Sequence, residues 1–343
     1  MRRTLISAFA AAAFALPTAV ACGGDDGGPA AGGTGSGSPT VANDTVVQVD
    51  DRPEVTTPLA DAQEAAIELP GGPDWLAFHD GFVWVKRDDG MVSRIDPRTN
   101  KPKGEIQADT KSDQLCQGIG AGGGAVWSCS GSDVVRIDPE RLKVTDSIPV
   151  GKIFDQGHFV FADGKIWVLA GNGDRLVGID TATASAGPAV ELPAACRELG
   201  FGADMIWVTC PLDGMVFSVN PASASVEAQL ELEDASVASA SDSALWVGSA
   251  GDLMRFDLET LQPLARFEAL DPGTEGTLLV DGEDVWVRTA QGFLHRIDAT
   301  SNTVAEQIEP PEALSGGDLL IAAGSVWTTA FNDNLLIRLR AGT

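Results

Sequence analysis

The chain has 343 residues, with 39 Gly, 19 Pro, no Tyr and a formal net charge of −26. So acidic a surface repels phosphate backbones, and no Lys/Arg stripe with interleaved aromatics relieves it, which argues against nucleic acid as a partner. The length and the short apolar runs suit one large all-β domain, long enough to bury a sizeable core.

Residues 1–21 read as a secretory signal peptide. Arg2 and Arg3 form its basic start, and the apolar stretch from Leu5 to Leu16 is too short to span a bilayer. Small residues at Ala19 and Ala21 suit peptidase cleavage before Cys22. The run Ala19-Val20-Ala21-Cys22 resembles the bacterial lipobox, which implies diacylglycerol on the Cys22 sulfur. Ala19 stands where that motif has Leu, and cleavage without lipidation leaves a soluble exported protein. Either way the chain is expected outside the cytoplasm. The lipidated form would sit on the outer face of the cytoplasmic membrane, or in the periplasm or outer membrane, held by its lipid alone.

Residues 22–60 begin with Gly, Ser, Pro, Ala, Thr and Asp, a composition that buries too little apolar surface to order itself. They are expected to form a flexible tether for a domain over residues 61–343.

That domain is repetitive. A hydrophobic-Trp-Val/Ser/Thr motif recurs at Trp84, Trp127, Trp167, Trp207, Trp246, Trp286 and Trp327, at steps of 43, 40, 40, 39, 40 and 41 residues. A period near 40 is that of a four-stranded propeller blade. Within each repeat a first strand runs through a tight turn, such as Asp281-Gly282, into the Trp-bearing second strand. A third strand ends in Arg-Ile-Asp, as at Arg94-Ile95-Asp96, Arg136-Ile137-Asp138 and Arg296-Ile297-Asp298, and a short fourth strand follows. Six fourth strands serve seven Trp motifs. The missing one is expected at Ala65-Ala66-Ile67-Glu68-Leu69, which matches Ala189-Val190-Glu191-Leu192. An N-terminal strand closing the last blade gives a single, monomeric seven-bladed β-propeller, with one Trp per blade filling the wedge between blades.

Cys116 and Cys196 each lie 11 residues before a repeat Trp, while Cys129 and Cys210 follow the same Trp by two and three residues. Each pair brackets one hairpin, so Cys116–Cys129 and Cys196–Cys210 are the expected disulfides of an exported protein.

A propeller usually presents its ligand site at one mouth of the channel. Nine residues before each Trp the chain reads Trp75, Gly118, His158, Glu198, Val237, Thr277 and Asp318. This variation marks candidate site positions. His158, Glu198 and Asp318, from three blades, are the nearest approach to an acid–base or metal constellation. Trp75, Gln117, Gln156, Arg197, Glu275 and Arg288 are candidate binding residues at the same mouth. No cofactor is predicted and no metal-ligand motif is present.

Strings such as Asp163-Gly164-Lys165-Ile166-Trp167-Val168 and Val92-Ser93-Arg94-Ile95-Asp96-Pro97 resemble the streptogramin lyase (virginiamycin B lyase) propellers and related NHL- or YVTN-type repeats, over about residues 65–340. The resemblance implies the propeller. It also implies Glu and His just after a Trp-bearing strand in the lyases, where this chain reads Val168-Leu169-Ala170, Val208-Thr209-Cys210 and Val247-Gly248-Ser249. The reading that follows is a non-catalytic binding or scaffold module for an envelope protein, peptide or glycan. The alternative is a lyase or lactonase using Ca²⁺ or Mg²⁺ at acidic residues of the channel mouth.

Overall fold

A computed structural model describes residues 46–341, except 111–115, 154–157, 274–275 and 290–292. The signal peptide, Cys22, Gln156 and Glu275 lie outside the described residues. Seven sheets, each with four antiparallel blade strands, carry the seven repeat Trp residues, one each, as the repeat requires. In six of them the strands follow chain order. The seventh consists of Leu319–Ala322, Ser325–Ala330, Leu335–Arg340 and the N-terminal strand, Gln63–Glu68, so the ring closes as the sequence indicates.

Packing explains the repeat grammar. All seven Trp side chains are buried, Trp84, Trp127, Trp246 and Trp327 completely. In blades 1, 2, 3, 4 and 7 the indole Nε1–H donates to the carbonyl five residues earlier, at the end of the first strand. The ring thus fills the core without leaving its polar atom unpaired. In blades 1, 5 and 7 the third-strand Arg (Arg94, Arg255 and Arg338) lies over its own blade's Trp and reaches a turn of the next blade, whereas Arg296 pairs with Asp284 of its own blade. Arg94 donates to the Pro139 carbonyl and Arg338 to the Pro97 carbonyl, the latter tying blade 7 to blade 1. The motif's Asp accepts from backbone amides of the following turn, as Asp138 does from Glu140 and Arg141.

Residues expected to be tether are partly structured. Strand β1 (Val47–Val49) adds in parallel to the outer strand of blade 5, and β2 (Val55–Pro58) to the outer strand of blade 6. A single helical turn, α1 (Leu59–Ala62), then leads into β3 (Gln63–Glu68) of blade 7. The tether reading therefore fails for residues 47–60: outer edge strands offer unpaired backbone groups, and this segment covers two of them.

Both cysteine pairs lie at bonding distance, Cys116–Cys129 with Cα atoms 6.0 Å apart and Cys196–Cys210 with Cα atoms 3.8 Å apart. Replacing Cys196 and Cys210 together by Ser is expected to lower unfolding stability by about 3 kcal/mol, given the short loop closed. The midpoint of denaturant unfolding measures it.

Candidate functional site

Each first strand runs from the site mouth of the channel to the opposite, far mouth. The residue nine positions before the Trp stands at its start, facing its counterparts around the ring. There the chain assembles a polar plug. The His158 Nδ1 lies 3.0 Å from Glu198 Oε1 of the neighbouring blade, and Nε2 lies 2.9 Å from Asp318 Oδ1 of blade 7. Blades 3 and 7 are not neighbours, so the second bond crosses the channel. The Trp75 ring meets the imidazole edge-on, with centroids 4.3 Å apart.

The carboxylates are themselves fixed. Asp318 accepts the amides of Leu76, at 2.8 Å, and Leu319, at 2.7 Å, and so also fastens blade 7 to blade 1. Glu198 Oε1 accepts the amides of His158 and Leu199. Burial opposes charging of His158, but Asp318 and then Glu198 outweigh it and hold the imidazole well above its usual value. The plug is thus an imidazolium between two carboxylates, with both ring nitrogens engaged.

Asp74 stands beside it. Burial first, and then the nearby Asp88 and Asp318, push its carboxyl up to about 7. Burial likewise lowers Lys86, whose Nζ donates to the Arg87 carbonyl.

Next to the plug opens a cavity of about 410 Å³, lined by Trp75, Arg197, Glu198, Asp234, Ser236 and Asp271 among others. Asp271 is held by Ser236 Oγ and the Gly273 amide. Asp234, Ser236 and Asp271 escaped sequence reasoning because they lie outside the Trp-minus-nine register: Asp234 and Asp271 are in loops approaching first strands, and Ser236 is one residue before that position within its strand.

The structure brings His158, Glu198 and Asp318 together and places Trp75 and Arg197 at the cavity. Gln117 instead donates to Asp88 Oδ1 at 2.8 Å. Arg288 is a correction: it is fully buried and donates to the carbonyls of Thr289, Phe293 and Ser315. Its side chain clamps loops from within rather than facing a ligand, and burial lowers it to about 10. Among the described residues no group of three His, Cys, Asp or Glu is arranged to hold a metal ion. A wider groove of about 660 Å³, lined by His79, Arg136, Asp138 and Glu140, lies between turns of blades 1 and 2, away from the channel plug.

No protein-family model matches the chain, and no curated protein matches it by sequence. Among solved structures it is similar to the WD40 domain of Neurospora crassa Pan2, with 12% identity, 82% of this chain and 95% of that one covered, and a TM-score of 0.67. It is also similar to a catalytically inactive virginiamycin B lyase from Staphylococcus aureus determined with quinupristin, with 15% identity, 81% and 99% covered, and a TM-score of 0.65. At these identities the likeness is one of fold: the chain is a seven-bladed β-propeller.

Proposed function

We propose that this propeller is an exported binding module, tethered to the cell envelope, that takes a polar ligand of saccharide or short-peptide size at the site mouth. The observation that carries this reading is the cavity beside the plug, where an indole, a guanidinium and several carboxylates converge on one concave surface. A saccharide offers an apolar ring face to Trp75 and hydroxyls to Arg197 and Asp234. His158 has both nitrogens committed to carboxylates, so it positions the plug and has no free lone pair for a metal or a substrate proton.

Placing a photo-crosslinking residue at Asp234 in cells should trap an envelope glycan or peptide, and Arg197→Ala should reduce its capture about tenfold or more, the loss of one charged contact. Capture unchanged by Arg197→Ala, or equal capture from a probe at Asp146 on the outer wall, would sink the reading.

An acid–base enzyme of the lyase or lactonase kind is the second reading. It is favoured by Asp74, whose carboxyl exchanges its proton near neutrality at the edge of the same mouth. Turnover of lactones or streptogramins that Asp74→Asn abolishes would establish it. Added Ca²⁺ or Mg²⁺ would show whether a cation takes part.

A further inference from the structure

Below the plug the channel changes character. A cavity of about 310 Å³ runs from His158 and Glu198 down past Leu199, Val237, Leu278 and Leu279 to Phe161 and Phe201. Phe78, Phe161 and Phe201 occupy the same position, six residues before the Trp, in blades 1, 3 and 4. They are 39%, 41% and 41% exposed, in strands whose other large apolar residues are mostly buried. A glycine makes room for one of them: a Cβ at Gly122 would meet the Phe161 ring at 2.1 Å. The aromatic wall is therefore built into the fold at the far mouth.

The turns leaving these strands ring that mouth with charge of one sign. Asp80, Asp163, Asp204, Asp242, Asp281 and Glu283 are all exposed there. Lys165, which opens the strand after one of these turns, is paired with Asp163 and also donates to the Pro221 carbonyl. An apolar bore with carboxylates around its rim concentrates cations, because low-dielectric walls focus the field. Phenylalanine faces add attraction for an ammonium.

We propose that the far mouth is a second ligand site, at the opposite end of the channel from the polar cavity, for small cationic amphiphiles: an ammonium on an aliphatic or aromatic body. The body enters between Phe161 and Phe201 and the ammonium rests among the turn carboxylates. A volume of about 310 Å³ is at the lower end of the range for small-molecule sites.

The test is calorimetric titration of the purified protein with three probes sharing one chain: octylammonium, octanol and octanoate. Octylammonium should bind about tenfold tighter than octanoate at low salt, with most of that preference lost in about 0.5 M NaCl. The combined variant Asp80→Asn, Asp204→Asn and Asp242→Asn should erase the preference. Asp80 and Asp204 have φ of 50° and 59°, which Asn tolerates, so the fold is kept. Phe161→Ser with Phe201→Ser should weaken octylammonium about tenfold, and Arg197→Ala should leave it unchanged. Equal binding of octanol or octanoate, no binding of any probe, or loss of binding in Arg197→Ala would each overturn the proposal. So would a dimer that Phe201→Ser dissolves, since it would make a second copy the occupant.

Discussion

His158→Ala is expected to cost about 3–5 kcal/mol of unfolding stability at neutral pH, among the largest losses from any single substitution in the ring. The reason is what remains behind. Asp318 has a side chain only 1% exposed and Glu198 one 11% exposed, and both would lose their cationic partner inside a narrow channel. Backbone amides still reach both carboxylates, which places the cost nearer the lower figure. The pH dependence identifies the cause. The folded-state value of His158 is raised, so its contribution is fully present below its unfolded value of about 6.5 and is lost as pH rises through the higher folded value. The gap between wild type and variant should therefore narrow in alkaline solution. Denaturant unfolding in a pH series measures it, and a gap independent of pH would mean that His158 acts through packing alone.

Asp74→Asn should do the opposite. The Asp74 carboxyl is raised from 3.8 to about 7, so its burial costs nothing below pH 4 and destabilises progressively as pH rises toward 7. The shift corresponds to as much as about 4 kcal/mol, at 1.36 kcal/mol for each pH unit. Asparagine keeps the shape and drops the charge. The variant should match wild type at pH 4 and exceed it at pH 8, with a flatter stability profile between. A variant less stable at pH 8 would show that the ionised carboxylate makes a favourable contact. The two substitutions are also coupled, because the His158 charge lowers Asp74. Combining them should depart from additivity, with removal of His158 pushing Asp74 higher still.

The ring was legible because its determinants are local and repeated. A Trp about every 40 residues and an Asp that holds a turn recur in register, and in three blades a third-strand Arg reaches the next blade. The site was legible only in part. The register named His158, Glu198 and Asp318 as facing the channel, yet which of seven facing positions touch depends on channel width and side-chain length. His158 spans from blade 3 to blade 7 because the imidazole is long enough to put Nε2 within 2.9 Å of Asp318. Arg288 misled because its position two residues after the Trp turns inward rather than toward the mouth. Strands β1 and β2 were invisible because they bind through backbone groups, and Val47 and Val55 are exposed at 57% and 54%. Composition carries no record of an edge that needs covering.

The path of β1 and β2 has a mechanical consequence. Val47 to Val49 pair in parallel with Ala265 to Phe267 of a fourth strand, so the chain climbs the outer wall in the direction away from the far face. A pull on the chain upstream meets three short β1 pairings first, then four at β2, and only then β3, whose release would open the ring. The arm thus behaves as a graded fuse. It gives way in steps and lengthens under load while the seven blades stay closed.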